Sequence, residues 1–100
     1  MTFDEYEQAA ARTINPRLTD SERLMDAAAG LSEEAGEILG HVRKHVYQSR
    51  TLDSQDLELE LGDALWCLTV AAQSMGLSLE SVAAVNIAKL KARYPDGFNR

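Results

Sequence analysis

Leu31-Ser-Glu-Glu-Ala-Gly-Glu-Ile-Leu39 has a second, diverged copy in the same chain, Leu57-Glu-Leu-Glu-Leu-Gly-Asp-Ala-Leu65. The two copies share their terminal leucines and an internal glycine, and they align two pairs of acids: Glu34 with Glu60, and Glu37 with Asp63. We therefore expect two helices that bring four carboxylates to one point. Carboxylate oxygens are the ligands that hard divalent cations prefer, so the repeat predicts a site for Mg²⁺, with Mn²⁺ as a substitute.

The angular position of the acids supports this interpretation. With Leu31 as the reference, Glu34 lies about 60° and Glu37 about 120° to one side of the helix. Glu60 and Asp63 have the same angles relative to Leu57. Both acid pairs thus lie on one flank of their helix, at the edge of the apolar row, where two packed helices would bring them together. Like charges that close are destabilising unless a cation neutralises them.

Two acids three residues apart also have a simpler explanation. Four such pairs occur in the chain, and a solvated helix face would account for any one of them taken alone. Only the two repeat pairs share an apolar frame and a glycine, which favours the metal site. Glu33 points further from the core, and it is open to three roles: a second metal, activation of a water, or plain solvation. Gly36 and Gly62 lie inside predicted helices, where each glycine costs about 0.5–1 kcal/mol relative to alanine. Two glycines at matched positions indicate that another helix or the substrate approaches closely, or that they serve packing alone.

The chain is predicted to be all-α, since Ala, Leu and Glu dominate and strand-like alternation is absent. Capping residues and breakers predict four helices: Thr2 to about Ile14, Asp20 or Ser21 to about Tyr47, about Leu57 to Met75 with a stop at Gly76, and Ser78 to just before Pro95. Gly30 is expected to bend the second helix or to admit a close neighbour. Short loops favour a small antiparallel helical bundle of four to five helices, formed as one domain over residues 1–100.

Apolar residues recur at three- and four-residue steps in the two long helices. The rows are Leu24, Ala28, Leu31, Ala35, Ile38 and Val42 in the second helix, and Leu57, Leu61, Ala64, Leu68, Ala72 and Met75 in the third. We expect the helices to pack through these rows. A chain of 100 residues builds only a thin core, so oligomerisation is expected to complete the bundle.

Composition excludes several classes of partner. The net charge of −6 and the pI of about 4.8 argue against a nucleic-acid or anionic-membrane binder. The acidic start of the sequence is unlike a signal peptide, and a cytoplasmic location is the expectation. Cys67 is the single cysteine, which excludes an internal disulfide, and its apolar neighbours predict a buried, non-catalytic thiol.

The fourth helix carries an apolar row that becomes polar and cationic at Asn86, Lys89 and Arg93. Beside a carboxylate–metal cluster, these side chains would suit a polyphosphate. The alternative is a solvated basic helix end that complements the helix dipole. His41 and His45 lie one turn apart on the second helix, and we interpret them as surface or bundle-edge histidines because two ligands do not make a zinc site.

At this point the sequence resembles the MazG-like nucleoside triphosphate pyrophosphohydrolases of the all-α NTP pyrophosphatase superfamily. The resemblance is carried by Glu33-Glu34-x-x-Glu37, by Glu60-Leu-Gly-Asp63-Ala-Leu-Trp66, and by Asn86-Ile-Ala-Lys89-Leu-Lys-Ala-Arg93-Tyr-Pro-Asp-Gly-Phe98. It covers about two thirds of the chain, from Leu31 to Phe98, and identifies residues 1–100 as one MazG-like helical domain.

The resemblance implies Mg²⁺-dependent hydrolysis of an NTP or dNTP to the monophosphate and pyrophosphate, as in house-cleaning of the nucleotide pool. It implies the following roles: Glu34, Glu37, Glu60 and Asp63 as metal ligands, Glu33 or Glu37 as acceptor of the water proton, and Asn86, Lys89 and Arg93 on the phosphates. It also implies a homodimer or homotetramer with a helical core shared between chains. Two alternatives remain: a phosphoribosyl-ATP pyrophosphohydrolase of histidine synthesis, and a non-catalytic helical dimerisation or regulatory module.

The residues that would bind the base are the least defined. Trp66 lies opposite the main apolar row of its helix. Stacking on a base is one role for it, and packing into a subunit interface is the role we favour at this point.

Overall fold

The computed structural model describes residues 1–98, and within them all regular structure is helical, as predicted. Four helices are present: α1 (Phe3–Ala11), α2 (Asp20–Gln48), α3 (Ser54–Ser74) and α4 (Leu79–Arg93). No strand occurs in this part of the chain.

Each helix begins after a side-chain cap that accepts from one or two of its free amide groups. Asp53 caps α3, which therefore begins at Ser54 and not at about Leu57 as predicted. The cap of α2 is Thr19, not the predicted Asp20 or Ser21. Thr19 Oγ1 accepts from the amide of Glu22 (3.1 Å), while Glu22 Oε1 accepts from the amide of Thr19 (2.9 Å). This reciprocal capping box satisfies two amide groups at once, which is why it prevails over the two polar residues that follow it.

The helix ends follow the predicted breakers, with one difference. Gly76, just past α3, has a φ angle of +70°, the left-handed conformation typical of a helix end. α4 ends at Arg93, two residues before Pro95. The difference is at α1, which ends at Ala11 rather than Ile14, because the next amides bond to carbonyls three residues back: Thr13 to Ala10 and Ile14 to Ala11.

α2 and α3 form the antiparallel pair that the short connecting loop predicts. They pack closely at Gly30, where an added Cβ would lie 2.9 Å from Cys67 Sγ. Gly30 therefore allows close packing. The contact is rotated from the predicted apolar rows: Ala27 and Cys67 are buried, whereas Ala28 and Leu68 are exposed, although Ala72 of the predicted α3 row is buried. This rotation turns the acidic flank of each helix towards the other.

α4 departs from the antiparallel arrangement. It bends 98° away from α3, and it contacts α1 and α3 but not α2. Its first turn is held by α1, where Glu7 Oε1 accepts a hydrogen bond from the amide of Leu79. In residues 1–98 no single helix has the length and apolarity needed to cross a membrane. The bent pair of α3 and α4 taken together would be long and apolar enough, by length and composition only.

Candidate metal centre

Three carboxylates meet between α2 and α3. One oxygen from each of Glu34, Glu37 and Glu60 lies within 4.8 Å of the other two. They meet because Glu34 and Glu37 are one turn apart on α2, and the rotated α2–α3 contact brings Glu60 opposite them. Two glutamates are half-buried and Glu37 is exposed, so the cluster opens to solvent on one side.

The chemistry of these side chains fits a cation. The Oε2 atoms of Glu34 and Glu60 are buried and have no hydrogen-bond partner in the described part of the chain. A buried carboxylate oxygen without a partner carries a large desolvation cost, which a coordinated cation would offset. The cluster could therefore hold a metal ion, and oxygen ligands favour a hard one.

Electrostatics within the cluster show how closely the charges approach. The pKa of Glu37 is raised, first by a hydrogen bond with the Glu60 side chain and then by the Glu60 charge, with burial and Asp63 adding to the effect. His41 opposes this shift. A raised carboxyl pKa means that the negative charge is disfavoured there, as expected where like charges are crowded together.

The other two predicted acids lie beside this group. Asp63 is not among the carboxylates that meet within 4.8 Å, although its charge raises the pKa of Glu37. The side chain of Asp is one methylene shorter than that of Glu and reaches less far across the gap. Glu33 is exposed, and its charge contributes to the raised pKa of Cys67, whose main cause is burial. Cys67 is buried, as predicted.

His41 was not expected to belong to this cluster. Its Nε2 lies 3.7 Å from Glu60 Oε1, and the residue is half-buried. The sequence did contain the signal, because His41 follows Glu37 by four residues and so lies one turn further along the same flank. His45 has a different role: its Nδ1 donates to the carbonyl oxygen of Arg50 (2.7 Å) at the end of α2.

The cationic face of α4 is not brought to the carboxylates of its own chain. Asn86, Lys89 and Arg93 are exposed, and in residues 1–98 neither Lys89 nor Arg93 forms an ion pair. The cause is the direction of α4, which starts at the end of α3 opposite the acids and does not contact α2.

The MazG nucleotide pyrophosphohydrolase domain matches residues 23–98. The chain belongs to this family. A relative in Mycobacterium phage L5, the Gene 37 protein, is 34% identical over 105 aligned positions, covering 97% of this chain and 92% of the phage protein. No solved structure gives a significant match.

The MazG match begins at residue 23, so α1 and the cap of α2 lie outside it. Trp66 lies inside the match and links the two parts. Its Nε1 donates to Thr13 Oγ1 (2.8 Å), in the segment that follows α1. Within its own chain the indole thus packs on residues before the match.

The glycines of the repeated MazG motif have no close neighbour in the described residues. A Cβ added to Gly36 or to Gly62 would meet nothing within 4 Å. Packing inside the single chain therefore does not explain either glycine.

Proposed function

We propose that this MazG chain hydrolyses a nucleoside triphosphate, NTP or dNTP, to the monophosphate and pyrophosphate with Mg²⁺ as cofactor. The observation that carries the proposal is the meeting of Glu34, Glu37 and Glu60, two of which have a buried oxygen without a partner. Family membership gives the reaction class. Glu34, Glu37, Glu60 and Asp63 would hold Mg²⁺, or Mn²⁺ in its place.

The reaction needs one bond formed and one broken. Oxygen from water bonds to the α-phosphorus, and the bond from that phosphorus to the oxygen bridging the α- and β-phosphates breaks, so pyrophosphate leaves. Mg²⁺ bound there would offset charge on the phosphate oxygens. Two exposed acids of the chain can accept the proton of the attacking water, Glu33 and Glu37. The pKa of Glu37 is raised, and a raised pKa makes a carboxylate a stronger base.

We propose further that the chain works as a homodimer or homotetramer in which α4 of a partner copy brings Asn86, Lys89 and Arg93 to the carboxylates. The absence of α2–α4 contact within one chain supports this. Large apolar side chains are also exposed on three helices: Leu39 and Val46 on α2, Leu61 and Leu68 on α3 with Met75 just after its end, and Val85 and Ile87 on α4. A set of this size on one small chain is typical of a surface that another chain covers.

A product assay tests the reaction. Purified protein with Mg²⁺ is given a panel of NTPs and dNTPs, and the products are separated by chromatography. We expect monophosphate and pyrophosphate from the wild type and neither from Glu37→Ala. Diphosphate and orthophosphate would contradict the proposed chemistry. Turnover of phosphoribosyl-ATP alone would shift the assignment to histidine synthesis.

A mixing experiment tests the shared site. Glu60→Gln and Lys89→Ala are each expected to be inactive alone. Refolding them together creates mixed dimers in which one site combines intact carboxylates with an intact α4. Recovered activity supports a site shared between chains, and its absence in a mixture shown to contain mixed dimers contradicts it.

A further inference from the structure

A second concave site lies on the acidic flank of α2 and α3, away from the carboxylates. It is a cavity of about 250 Å³ between the segment that follows α1, the first turns of α2 and the middle of α3. Its floor is formed by Ala27 and Val70, which are 2% and 3% exposed, and Trp66 forms one wall. Four polar side chains complete the lining: Thr13, Asn15, Arg23 and Asp26. Arg23 is paired with Asp20 (2.6 Å), which leaves Asp26 without a cation of its own.

The Trp66 wall is fixed in place. The indole N–H donates to Thr13 Oγ1 (2.8 Å), and the Thr13 hydroxyl in turn donates to the carbonyl oxygen of Ala10 (2.6 Å). The only hydrogen-bond donor of the indole is thereby used, so what Trp66 offers the cavity is the face or edge of its ring. A rigid aromatic ring over an apolar floor is a surface on which a planar, polarisable ligand stacks.

The cavity and the carboxylates lie on one line along the helices. Asp26 precedes Glu37 by three helical turns, and Val70 follows Asp63 by two, so each pair shares a flank. Ala27 and Glu34 are seven residues apart, which is about 10 Å along α2. The ribose and α-phosphate of a nucleotide span such a gap. Gly30 and Cys67 pack against each other between the two sites, so the sugar would cross over this contact on its solvent side.

The polar lining groups restrict which base can enter. Asp26 accepts hydrogen bonds and donates none, and it forms neither a hydrogen bond nor an ion pair within residues 1–98. The Oδ1 of Asn15 already accepts from the amide of Arg17 (3.0 Å), which leaves its NH₂ group as the donor. Two adjacent N–H groups satisfy a carboxylate best, and among the four common RNA bases only guanine presents them, at N1 and N2.

We infer that this cavity is the base subsite of the nucleotide and that Asp26 makes it selective for guanine. The inference rests on the proposed function for its substrate class. In it, Trp66 stacks on the base, Asp26 accepts from N1–H and the N2 amino group, and the Asn15 amide donates to O6.

Binding is measured first, without Mg²⁺ and without turnover. Trp66 is the only tryptophan of the chain, so its fluorescence reports on this cavity alone. We expect GMP to quench it at lower concentration than IMP, which lacks the N2 amino group, and UMP to act most weakly. Equal quenching by the three, or none, overturns the inference.

Selectivity is then measured as the ratio of kcat/KM for GTP over ITP. The wild type should favour GTP, and Asp26→Asn should lower the ratio by about 10- to 100-fold, the effect of one hydrogen bond to a charged group. Asp4→Asn makes the same chemical change on an exposed residue outside the cavity and should leave the ratio unchanged.

The two proposals fail in different ways. Hydrolysis of all NTPs with the same ratio in wild type and Asp26→Asn overturns the guanine subsite and leaves the pyrophosphohydrolase standing. Guanine-selective quenching that Asp26→Asn abolishes, without turnover of any nucleotide, supports the subsite and contradicts the proposed reaction.

Discussion

Glu34 and Glu60 lie on adjacent helices, and each has its Oε2 atom buried without a hydrogen-bond partner in residues 1–98. One oxygen of each of these two side chains, together with one of Glu37, lies within 4.8 Å of the others. Packing two charged groups in this way stabilises a protein only when a third charge of opposite sign joins them. The carboxylate cluster is thus unfavourable for folding unless it is filled.

Mg²⁺ is therefore expected to raise the melting temperature. A cation that binds only the folded state adds about 2.7 kcal/mol of stability at 100 times its Kd. Glu60→Gln should abolish this gain, and in EDTA it should melt above the wild type because a repulsive charge is gone. Glu58→Gln, on an exposed residue of the same helix, is the matched control. Equal Mg²⁺ shifts in both variants would place the cation elsewhere.

Gly30→Ala is expected to destabilise the α2–α3 pair. Its new Cβ would lie 2.9 Å from Cys67 Sγ, and Cys67 is 6% exposed, so the thiol has little room to move. Overpacking of this kind costs about 1–3 kcal/mol. Denaturant unfolding measures the loss, and Cys67→Ala in the same chain should recover part of it. No recovery in the double variant would mean that the clash is not the cause.

Gly62→Ala is expected to stabilise the isolated chain. A Cβ there meets nothing within 4 Å, and replacing a helical glycine by alanine gains about 0.5–1 kcal/mol. Thermal melts at low protein concentration measure the gain, with Gly36→Ala as a second test. Should either variant instead weaken self-association in sedimentation, the glycine would have to contact a partner copy.

The capping box of α2 predicts a pH dependence. The pKa of Glu22 is lowered, first by the hydrogen bond from the Thr19 amide. A lowered carboxyl pKa stabilises the fold above the ordinary Glu value, and this contribution is lost as the pH falls through the lowered pKa. Wild type should therefore melt above Glu22→Ala by more at pH 7 than in strong acid. A difference independent of pH would exclude the charged cap.

Glu7→Ala is expected to loosen α4. It removes the acceptor for the partly buried amide of Leu79, at a cost of about 1–3 kcal/mol. Amide exchange at the start of α4 should accelerate more than exchange in the middle of α2. Glu7→Gln keeps an acceptor oxygen and should retain most of the protection, whereas equal loss in both variants would assign the effect to charge.

Sequence periodicity was sufficient to predict the four helices and the flank that holds the acids, because both follow from local geometry. The predicted cap of α2, Asp20 or Ser21, was wrong, because Thr19 is a capping type as well and forms the capping box with Glu22. The rotation that buries Ala27 and Cys67 instead of Ala28 and Leu68 depends on the close approach at Gly30. The sequence predicted that Gly30 bends α2 or admits a close neighbour, but it does not show which residue of α3 lies opposite it.

The sequence pattern also did not predict the direction of α4. Gly76 and Ser78 mark where one helix ends and the next begins, but a turn of this kind allows several angles. The hydrogen bond from Leu79 to Glu7 spans 72 residues and fixes one end of α4 on α1. The predicted phosphate-facing side chains therefore lie away from the acids of their own chain.

The hydrogen bond between Glu7 and Leu79 limits where the chain can be truncated. The family match starts at residue 23, yet α1 supplies the acceptor for α4 and Thr13 holds Trp66. A truncation that keeps only the matched residues would uncover Leu79, which is 7% exposed, and release the indole. The first 22 residues thus support the part of the chain that matches the family, and we expect the shortened chain to be less stable than the whole one.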